Sequence, residues 1–557
     1  MTDYIELRES NCKNCYKCIR HCPVKSIKFS DNEAHIVNDE CILCGICFVT
    51  CPQNAKKIRS DIHKVKDAVA AGRYVVASVA PSFVANYDGV TITAMARALK
   101  KLGFSAVEET AVGATIVKKE YDRMLGEGTE NVIISSCCHT VNTLIQKYYP
   151  QVLPNLAPVV TPMEAHCKKI KSERSDAYTV FIGPCISKKQ EADLCAPNVD
   201  CVITFDGLDS WMREASLEFE ACEDETAGGK ARFFPVVGGI LRSMECKAEQ
   251  YEYMTIDGVE NCISAIEDII DGSLSDCFIE MSACVGGCVE GPATTKRRRP
   301  LRDFLSVSRY APEGDFEVGT HDSASLQKEM PYIGLRHQMP GSRAIEEILK
   351  KMGKTSPEQE LNCGSCGYNT CREKAVAIYM GKADLNMCLP YLKEKAESFS
   401  DNVINNTPNA IIVLNEDLEI QQVNSAALAL MNIRSAKDIM YNPVVRILNP
   451  ADFMQVLASG TDIHDRRIYL AEYKKFVEET VIYDKSYHII ICFMRDVTAE
   501  EKQKLDKENV SRQTIEITDK VIDKQMRVVQ EIASLLGETT AETKIALTKL
   551  KESLKDE

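Results

Sequence analysis

One cysteine pattern occurs twice near the start of the chain, and it constrains the fold more than any other feature. The stretches "CKNCYKCIRHCP" and "CILCGICFVTCP" each place four cysteines in the order C-x2-C-x2-C-x3-C, followed by proline. The surrounding residues, 1–57, are dense in cysteine and short in apolar runs. This spacing puts three thiols of each copy in one short loop, where they can bind neighbouring metal ions of one cluster.

The spacing is that of the two-cluster bacterial ferredoxins, in which three closely spaced thiolates hold three irons and the fourth cysteine reaches across to the other cluster. A pair of zinc knuckles is the alternative, but the proline after each fourth cysteine favours iron–sulfur. We therefore predict a ferredoxin-like domain over residues 1–57 with two 4Fe-4S clusters. The predicted ligands are Cys12, Cys15, Cys18 and Cys51 for one cluster, and Cys41, Cys44, Cys47 and Cys22 for the other.

Composition places the rest of the chain among multidomain globular proteins of a reducing compartment. The chain has 557 residues and 25 cysteines, with a net charge of −14 that argues against a nucleic-acid partner. Its start, "MTDYIELRES", has no apolar signal region, and we expect no membrane-spanning helix. Clustered cysteines in such a chain indicate metal or redox chemistry, which predicts a cytoplasmic location.

Residues 58–330 have the pattern of an α/β domain in which strands end on cysteines. "RYVVASVAPS", "NVIISSCC" and "YTVFIGPC" read as buried strands, and the last two end at Cys137–Cys138 and Cys185. "ITAMARALKKLG" has helical spacing with a glycine stop. We therefore expect the cysteines to lie together at one edge of a sheet.

Three segments of this domain carry a specific resemblance. They are the pair Cys137–Cys138, "GPCISKKQEA" and "EMSACVGGC", which together supply Cys138, Cys185, Cys284 and Cys288. Taken in order behind a ferredoxin module, they resemble the signature segments of the iron-only (FeFe) hydrogenase catalytic domain over about residues 75 to 300. The domain is identified on these motifs as similar to that family.

The resemblance implies an H-cluster, which is a 4Fe-4S cube joined through one cysteine to a two-iron subcluster. Cys138, Cys185 and Cys284 would hold the cube, and Cys288 would hold the cube and bridge to the two-iron unit. Lys188 would bind a cyanide ligand of that unit, and Cys137 would hand protons to its bridging amine as general acid and base. The implied partners are H2 and protons, ferredoxin or a similar electron carrier, and the hydrogenase maturases.

The chain departs from the family along its proton path. The family's path runs from the thiol through a glutamate, a serine and a second glutamate, and the aligned residues here are Tyr121, Ala157 and Met124. Glu120 is one residue off and could partly compensate. His139 stands where the first signature has proline. Intact ligands with a damaged proton path predict slow turnover.

A second cysteine cluster follows in residues 331–398, which we interpret as a linker and a small domain. "CGSCGYNTCREKAVAIYMGKADLNMC" resembles the four-cysteine 4Fe-4S domain of Rnf-type electron-transport subunits and corrinoid proteins. A zinc site with the same ligand count is the alternative. We predict one further 4Fe-4S cluster, which would pass a redox state to the segments downstream. Its ligands are Cys363, Cys366, Cys371 and Cys388.

Residues 399–498 resemble a PAS domain, ending in Arg495-Asp496-Val497-Thr498, which commonly leads into a signalling helix. The sequence gives no indication of its ligand. In residues 499–557, apolar residues recur at coiled-coil spacing at Ile522, Met526, Val529, Ala533 and Leu536. This helix can pack on its own PAS domain, dock on a partner or form a homodimer. The tail has no histidine, so a kinase or phosphatase output would belong to a downstream signalling partner.

The sequence thus predicts a multidomain α/β and α+β protein with ferredoxin-like, hydrogenase-like, four-cysteine, PAS and helical segments. Our first hypothesis is a sensory FeFe hydrogenase of low turnover that relays redox state to the PAS domain and helix. A catalytic, ferredoxin-linked hydrogenase is the first alternative. An iron–sulfur conduit or scaffold without the two-iron subcluster is the second, and Cys137 and Lys188, which a bare cube does not need, argue against it.

Overall fold

The computed structural model describes residues 3–553, except 9–10, 225–227, 246–247, 296–298, 320–321 and 335–338. The chain divides into two compact units, one ending at Leu392 and one beginning at Lys393. Within the described residues, no helix has both the length and the apolar character needed to cross a membrane.

The N-terminal region is built from short strands and single helical turns around its cysteines. Ile5–Leu7 pairs antiparallel with Lys56–Ile58, so the two ends of the region meet. Ile27–Ser30 and Glu33–Ile36 form a hairpin between the two cysteine runs. The helical turns Lys17–Arg20 and Ile46–Val49 each follow a residue in the left-handed conformation, Tyr16 and Gly45, which turns the chain back over the preceding cysteines.

Two separate parallel sheets form the centre of the first unit. The larger sheet has the strand order Ala106–Glu109, Val75–Val79, Tyr178–Gly183 and Cys201–Thr204. The smaller sheet has the order Glu252–Asp257, Cys277–Ser282 and Val132–Ile134. The sequence led us to expect that the cysteine-bearing strands share one edge of one sheet. They are instead divided between two sheets.

Helices cover both sheets, as buried parallel strands require. Helix Ile92–Lys101 is capped by the Thr91 side chain, which accepts from the Ala94 N–H at 3.1 Å, and the chain turns away at Gly103 with a φ of 101°. The other longer helices of the unit are Ile62–Ala70, Ala111–Glu127, His139–Tyr148, Pro162–Glu173, Ser187–Leu194, Phe205–Glu214, Val259–Ile270, Pro300–Tyr310, Ser342–Lys351 and Cys371–Tyr379.

The second unit contains a five-stranded antiparallel sheet. Its strand order is Ile420–Val423, Ala410–Asn415, Ile489–Asp496, Lys475–Asp484 and Ile463–Leu470. Alternating buried positions along Ala410–Asn415 and Ile489–Asp496 form one apolar face, which packs with helices Ser425–Leu430 and Ala451–Ser459. Helix Thr498–Ser553 follows directly. The predicted fold classes, α/β for the central domain and α+β for this unit, are confirmed.

Candidate metal centre

Strand ends deliver the cysteines of the central domain to one place. Cys137 and Cys138 follow strand Val132–Ile134 after two serines, and Cys138 directly precedes helix His139–Tyr148. Cys185 lies two residues after strand Tyr178–Gly183. Parallel strands with helices packed against them thus bring residues from distant parts of the chain to the carboxyl ends of two sheets.

Cys284 and Cys288 lie in the loop after strand Cys277–Ser282, in the smaller sheet. Gly286 and Gly287 between them both have positive φ, 87° and 82°. A Cβ at Gly287 would lie 2.5 Å from the Pro235 carbonyl oxygen, so a side chain there would collide with backbone. The glycine pair therefore lets this loop fold tightly enough for both thiols to face the other cysteines.

The four thiols that the resemblance selects are close enough to affect one another's ionisation. Burial raises the pKa of the Cys284 thiol well above its usual value, and charge on Cys288, Cys185 and Cys138 raises it further. Burial likewise raises the pKa of Cys138, and charge on Cys185 raises it further. A group of thiolates that repel one another needs bound cations, so this donor set fits an iron–sulfur cluster.

Lys188 brings a buried positive charge to this group. Its Nζ donates to the Cys137 carbonyl oxygen at 3.4 Å and to Glu191 Oε2 at 2.6 Å, one helical turn away. Although burial opposes its charge, Glu191 raises the pKa of Lys188, so the ammonium form is favoured. Sequence reasoning missed Glu191, although its i,i+3 spacing from Lys188 on one helix face was a readable signal.

The Cys137 side of the site is lined by hydroxyl groups. Tyr121 Oη lies 3.3 Å from Cys137 Sγ and 3.0 Å from Ser136 Oγ, and it accepts from the Ser136 N–H at 2.9 Å. Ser136 Oγ donates to the Val159 carbonyl oxygen at 2.7 Å. Burial raises the pKa of Tyr121 well above its usual value, which keeps it neutral. This hydrogen-bonded chain ends on a carbonyl oxygen, which accepts a hydrogen bond but has no proton to pass on.

The other two replaced relay positions lie in the same apolar cluster. Ala157 and Met124 pack with Tyr121 and Cys137. Glu120 and Met124 line an adjoining cavity of about 410 Å³ together with Ala157. Arg123 binds the Glu120 carboxylate with its Nε at 2.9 Å, so this carboxylate points to a guanidinium on its own helix.

A carboxyl group that sequence reasoning also missed lies in the smaller sheet, close enough for its charge to act on Cys137. Glu280 is buried in strand Cys277–Ser282 and accepts from the N–H groups of Gly238 at 3.0 Å and Leu241 at 3.2 Å. Burial raises its pKa to about 7, even though those hydrogen bonds lower it. Charge on Glu280 also raises the pKa of Cys137, which burial holds at about 12. A charged residue in a buried strand was the available signal.

His139, which replaces the usual proline, is buried beside Lys188 and Glu191. Its Nδ1 lies 3.9 Å from Glu191 Oε2, and its Nε2 lies 3.4 Å from Gln190 Oε1. Burial lowers the pKa of His139 to about 4, so the ring is neutral at physiological pH.

In the N-terminal region the cysteines fall into two groups. Burial is the main cause that raises the pKa of Cys44, and charge on Cys22 is the next largest. Cys41 and Cys47 are part of the same group. Burial raises the pKa of Cys18 to about 11, with Cys12 and Cys15 beside it and the Lys56 ammonium lowering it. The structure thus brings Cys22 to the later run, as the crossed ligand pattern requires.

The cysteine group that contains Cys22 lies against the central cysteine group. Gly45, with a φ of 75°, approaches Pro292 so closely that a Cβ would lie 2.5 Å from the proline Cβ. Cys44 and Cys284 line one cavity of about 280 Å³ and are electrostatic neighbours. Clusters bound at these two groups would be adjacent.

All four cysteines of the C-terminal cluster motif line a single small pocket. Its volume is about 10 Å³, and it lies at the end of helix Cys371–Tyr379. Four thiols around one cavity fit an iron–sulfur cluster, and they equally fit zinc. The lining cysteines are Cys363, Cys366, Cys371 and Cys388.

This four-cysteine segment packs on the ferredoxin-like region, which sequence reasoning did not foresee. The Phe29 N–H donates to the Lys382 carbonyl at 2.8 Å, and Arg20 donates to the carbonyls of Gly364 and Ser365 at 3.2 Å. Cys366 and Tyr368 share an apolar core with Ile19 and Cys22. More than three hundred residues separate the partners, and nothing in the local pattern of either segment specifies the contact.

Comparison with known proteins gives three matched segments. Residues 73–292 match the family described as "Iron only hydrogenase large subunit, C-terminal domain". Residues 4–52 match a "4Fe-4S dicluster domain", and residues 359–390 match a "Putative Fe-S cluster" segment.

Individual relatives are distant. The chain is 25% identical to Iron hydrogenase 1 of Clostridium pasteurianum in an alignment that covers 43% of this chain and 53% of that one. It is 24% identical to the Periplasmic [Fe] hydrogenase large subunit of Nitratidesulfovibrio vulgaris over 52% of this chain and 85% of that one. It is also 22% identical to the Cytosolic Fe-S cluster assembly factor NAR1 of Candida dubliniensis, over 32% of this chain and 37% of that one.

The chain spans about half of the length of the first of these relatives. Its matched segments agree in order and position with the cysteine groups described above. Residues 73–292 are therefore a domain of the iron-only hydrogenase large-subunit family, preceded by a 4Fe-4S dicluster domain.

Proposed function

We propose that this protein is a sensory FeFe hydrogenase that reacts slowly with H2 and reports its redox state through iron–sulfur clusters to the PAS domain and C-terminal helix. The observation that carries the proposal is the combination of a complete cysteine ligand group with a hydrogen-bonded chain from Cys137 that ends at the Val159 carbonyl.

The ligand group supports an H-cluster. Cys138, Cys185 and Cys284 would hold the cube, and Cys288 would join it to the two-iron unit. When bound, that group supplies the reversible conversion of H2 into two protons and two electrons. Lys188, held by Glu191, would present its ammonium to an anionic ligand of the group, and Cys137 would hold the proton to be exchanged.

The hydroxyl chain beside Cys137 supports slow turnover. A proton leaving the thiol reaches Tyr121 and then Ser136, whose hydroxyl donates to the Val159 carbonyl. A carboxylate relay at these positions would accept and release protons near neutral pH, whereas the neutral, buried Tyr121 cannot. A site that exchanges protons slowly suits a detector better than a producer of hydrogen.

The packing of the cysteine groups supports a defined electron path. The ferredoxin-like region lies between the other two cysteine groups. Its Cys44 adjoins the central group at Cys284, and the four-cysteine segment packs on it near Cys22. Electrons from the central site would therefore pass through the ferredoxin-like clusters before they reach the four-cysteine cluster. A soluble electron carrier such as ferredoxin would exchange electrons with the same chain.

The chain downstream of that cluster supports signal output. Cys388 is followed at once by helix Leu389–Asn406, and the first strand of the PAS sheet begins at Ala410. In helix Thr498–Ser553 the apolar side chains of Ile522, Met526 and Val529 are more than half exposed. A second copy of the chain, or a kinase or phosphatase, would cover this seam.

Infrared spectroscopy of the matured protein tests the proposal. Protein purified without oxygen and loaded by the hydrogenase maturases should give CO and CN bands that shift when argon is replaced by H2. Its hydrogen evolution should be slow relative to a catalytic FeFe hydrogenase measured in parallel. Fast evolution would favour the catalytic alternative.

Matched cysteine variants control for this result. Cys284→Ala should abolish the bands, whereas Cys262→Ala, a buried thiol near Cys138 outside the proposed ligand set, should keep them. Complete iron–sulfur loading without any CO or CN bands would favour a second candidate, an iron–sulfur scaffold. The similarity to the NAR1 assembly factor is the observation that favours it.

A cytoplasmic location is also part of the proposal. The cysteines within the described residues are clustered and form no disulfide, which suits a reducing compartment. Fractionation of the source cells with an antibody to the protein would test this location.

A further inference from the structure

A strap formed by residues 322–334 crosses the central domain and lies outside the family-matched segment, which ends at residue 292. The strap is held by backbone hydrogen bonds. The Val160 N–H donates to the Leu326 carbonyl at 2.9 Å, and the Lys328 N–H donates to the Pro158 carbonyl at 3.0 Å. The Ile333 N–H donates to the Gln146 carbonyl, on the helix that begins after Cys138. Lys328 is therefore fixed at a defined place in the domain.

The Lys328 side chain enters a group of buried acidic side chains behind the candidate site. One ligand atom each of Glu164, Glu191 and Cys195 lies within 4.8 Å of the others. Lys328 Nζ donates to Glu164 Oε2 at 2.7 Å and to Cys195 Sγ at 3.0 Å. The Cys195 thiol donates to Glu164 Oε2 at 2.9 Å. The ammonium thus occupies the place where a cation is needed.

Glu191 connects this group to Lys188. It accepts from Lys188 at 2.6 Å on one oxygen and from the Thr161 hydroxyl on the other. Although burial opposes its charge, Lys188, His139 and Lys328 lower the pKa of Glu191 to about 2. Glu164 has a further cation, Lys168, at 3.1 Å, which is partly exposed. Two buried carboxylates, the buried Lys188 and the partly buried Lys328 therefore balance one another between the strap and the candidate site.

We infer that Lys328 is a positioning residue for the candidate site: it neutralises Glu164 and Glu191 so that Lys188 stays directed to the Cys137 loop. The inference rests on the proposed function only in that Lys188 faces a bound two-iron group. Without Lys328, two close carboxylates share one cation fewer. One carboxylate then takes up a proton at neutral pH, or Lys188 moves towards the acids.

Lys328→Met tests this inference because methionine keeps much of the stem and removes the charge. The first measurement uses the full chain without the two-iron group. Infrared spectra at neutral pH should show, in Lys328→Met, an added carbonyl band of a protonated carboxylic acid beyond the one that Glu280 contributes to both proteins, and the parent protein should lack this added band. Lys119→Met, an exposed lysine on helix Ala111–Glu127, is the matched control and should also lack it.

The second measurement uses the matured protein. The CN bands should shift in Lys328→Met, keep their parent positions in Lys328→Arg and be unaffected by Lys119→Met. The double variant Lys328→Met with Glu164→Gln restores the charge balance, so it should lose the added carboxylic acid band and recover the parent CN bands.

Several results would overturn the inference. If Lys328→Met folds, shows no added carboxylic acid band and keeps its CN bands unchanged, Lys328 has no role at the site. If the single variant does not fold, the charge-balanced double variant must fold, and its failure would mean that the lysine only packs. Absence of CN bands in the parent protein refutes the proposed function alone, because the added carboxylic acid band does not depend on the two-iron group.

Discussion

The two sides of the candidate site differ in the kind of polar group that they bury. On the Cys137 side, Tyr121 and Ser136 form a neutral hydroxyl chain that ends at a carbonyl. On the Lys188 side, Glu191, Glu164 and Lys328 form a charged group. Under the proposed function, the hydroxyl chain would not carry protons away from Cys137, and the charged side would keep Lys188 directed to the bound group.

Removing charge from the charged side should have the largest effect. Glu191→Gln leaves Lys188 buried without a carboxylate, which should lower the free energy of unfolding by about 3–5 kcal/mol. Denaturant titration without oxygen measures this loss. The control is Glu127→Gln, since Glu127 pairs with Arg123 at the surface and should contribute less than about 1 kcal/mol. Equal losses in the two variants would contradict the comparison.

The two sides should respond to pH in opposite directions. The pKa of Glu280 is raised to about 7 in the folded state, so its contribution to stability is full below its unfolded pKa and is lost as pH rises through 7. Above pH 7 the free energy of unfolding is lower by about 3 kcal/mol than it is below the unfolded pKa of Glu280. The pKa of Glu191 is lowered to about 2, so its contribution holds above its unfolded pKa and is lost as pH falls towards 2.

Unfolding measured in denaturant between pH 5 and 8.5 tests the Glu280 part of this contrast. Glu280→Gln should flatten the decline in stability between pH 5 and 8.5 and leave the acid side unchanged. A decline that persists unchanged in the variant would assign it to another group.

Carboxylates placed on the Cys137 side should speed proton transfer away from the thiol. The triple change Tyr121→Glu, Ala157→Ser and Met124→Glu places the family's residue types at the aligned positions. Hydrogen evolution by the matured protein should rise by about 10²-fold, the usual contribution of a general acid–base group. The control is Tyr121→Phe with the same Ala157 and Met124 changes, which lacks the carboxylate beside Cys137 and should stay slow.

The smallest effect is expected for Tyr121→Phe alone. The Ser136 N–H loses its acceptor, so the free energy of unfolding should fall by about 1–2 kcal/mol. Turnover should stay unchanged, because the chain through Tyr121 leads to no exit. A fall in turnover of more than about 10-fold would instead show that Tyr121 passes protons.

Local patterns in the sequence were sufficient to predict much of the fold. Strands that end on cysteines, a helix stopped at Gly103 and the alternating strand Ala410–Asn415 are all short-range patterns, and the structure confirms the fold classes that they indicated. The division of the cysteine-bearing strands between two sheets could not be predicted, because strand pairing depends on contacts between distant segments.

The same reason explains what was missed at the site. Glu191 and Lys328 lie 137 residues apart, and Lys328 belongs to a segment that had no motif of its own. Glu280 is the first residue of the segment "EMSACVGGC" and had no role in the sequence analysis, because only its burial in the folded domain raises its pKa to about 7. Spacing identifies residues that act through one loop or one helix turn, whereas charge balance is a property of the folded domain.

The packing of the four-cysteine segment on the ferredoxin-like region has a consequence for synthesis of the protein. The N-terminal cysteines emerge from the ribosome first, but the residues that cover Cys22, including Cys366 and Tyr368, are made more than three hundred residues later. At about 5–20 residues per second, the delay is roughly 20–70 s. Through that interval Cys22 is without this cover, so a cluster bound at its group early in synthesis would be more exposed than in the finished chain.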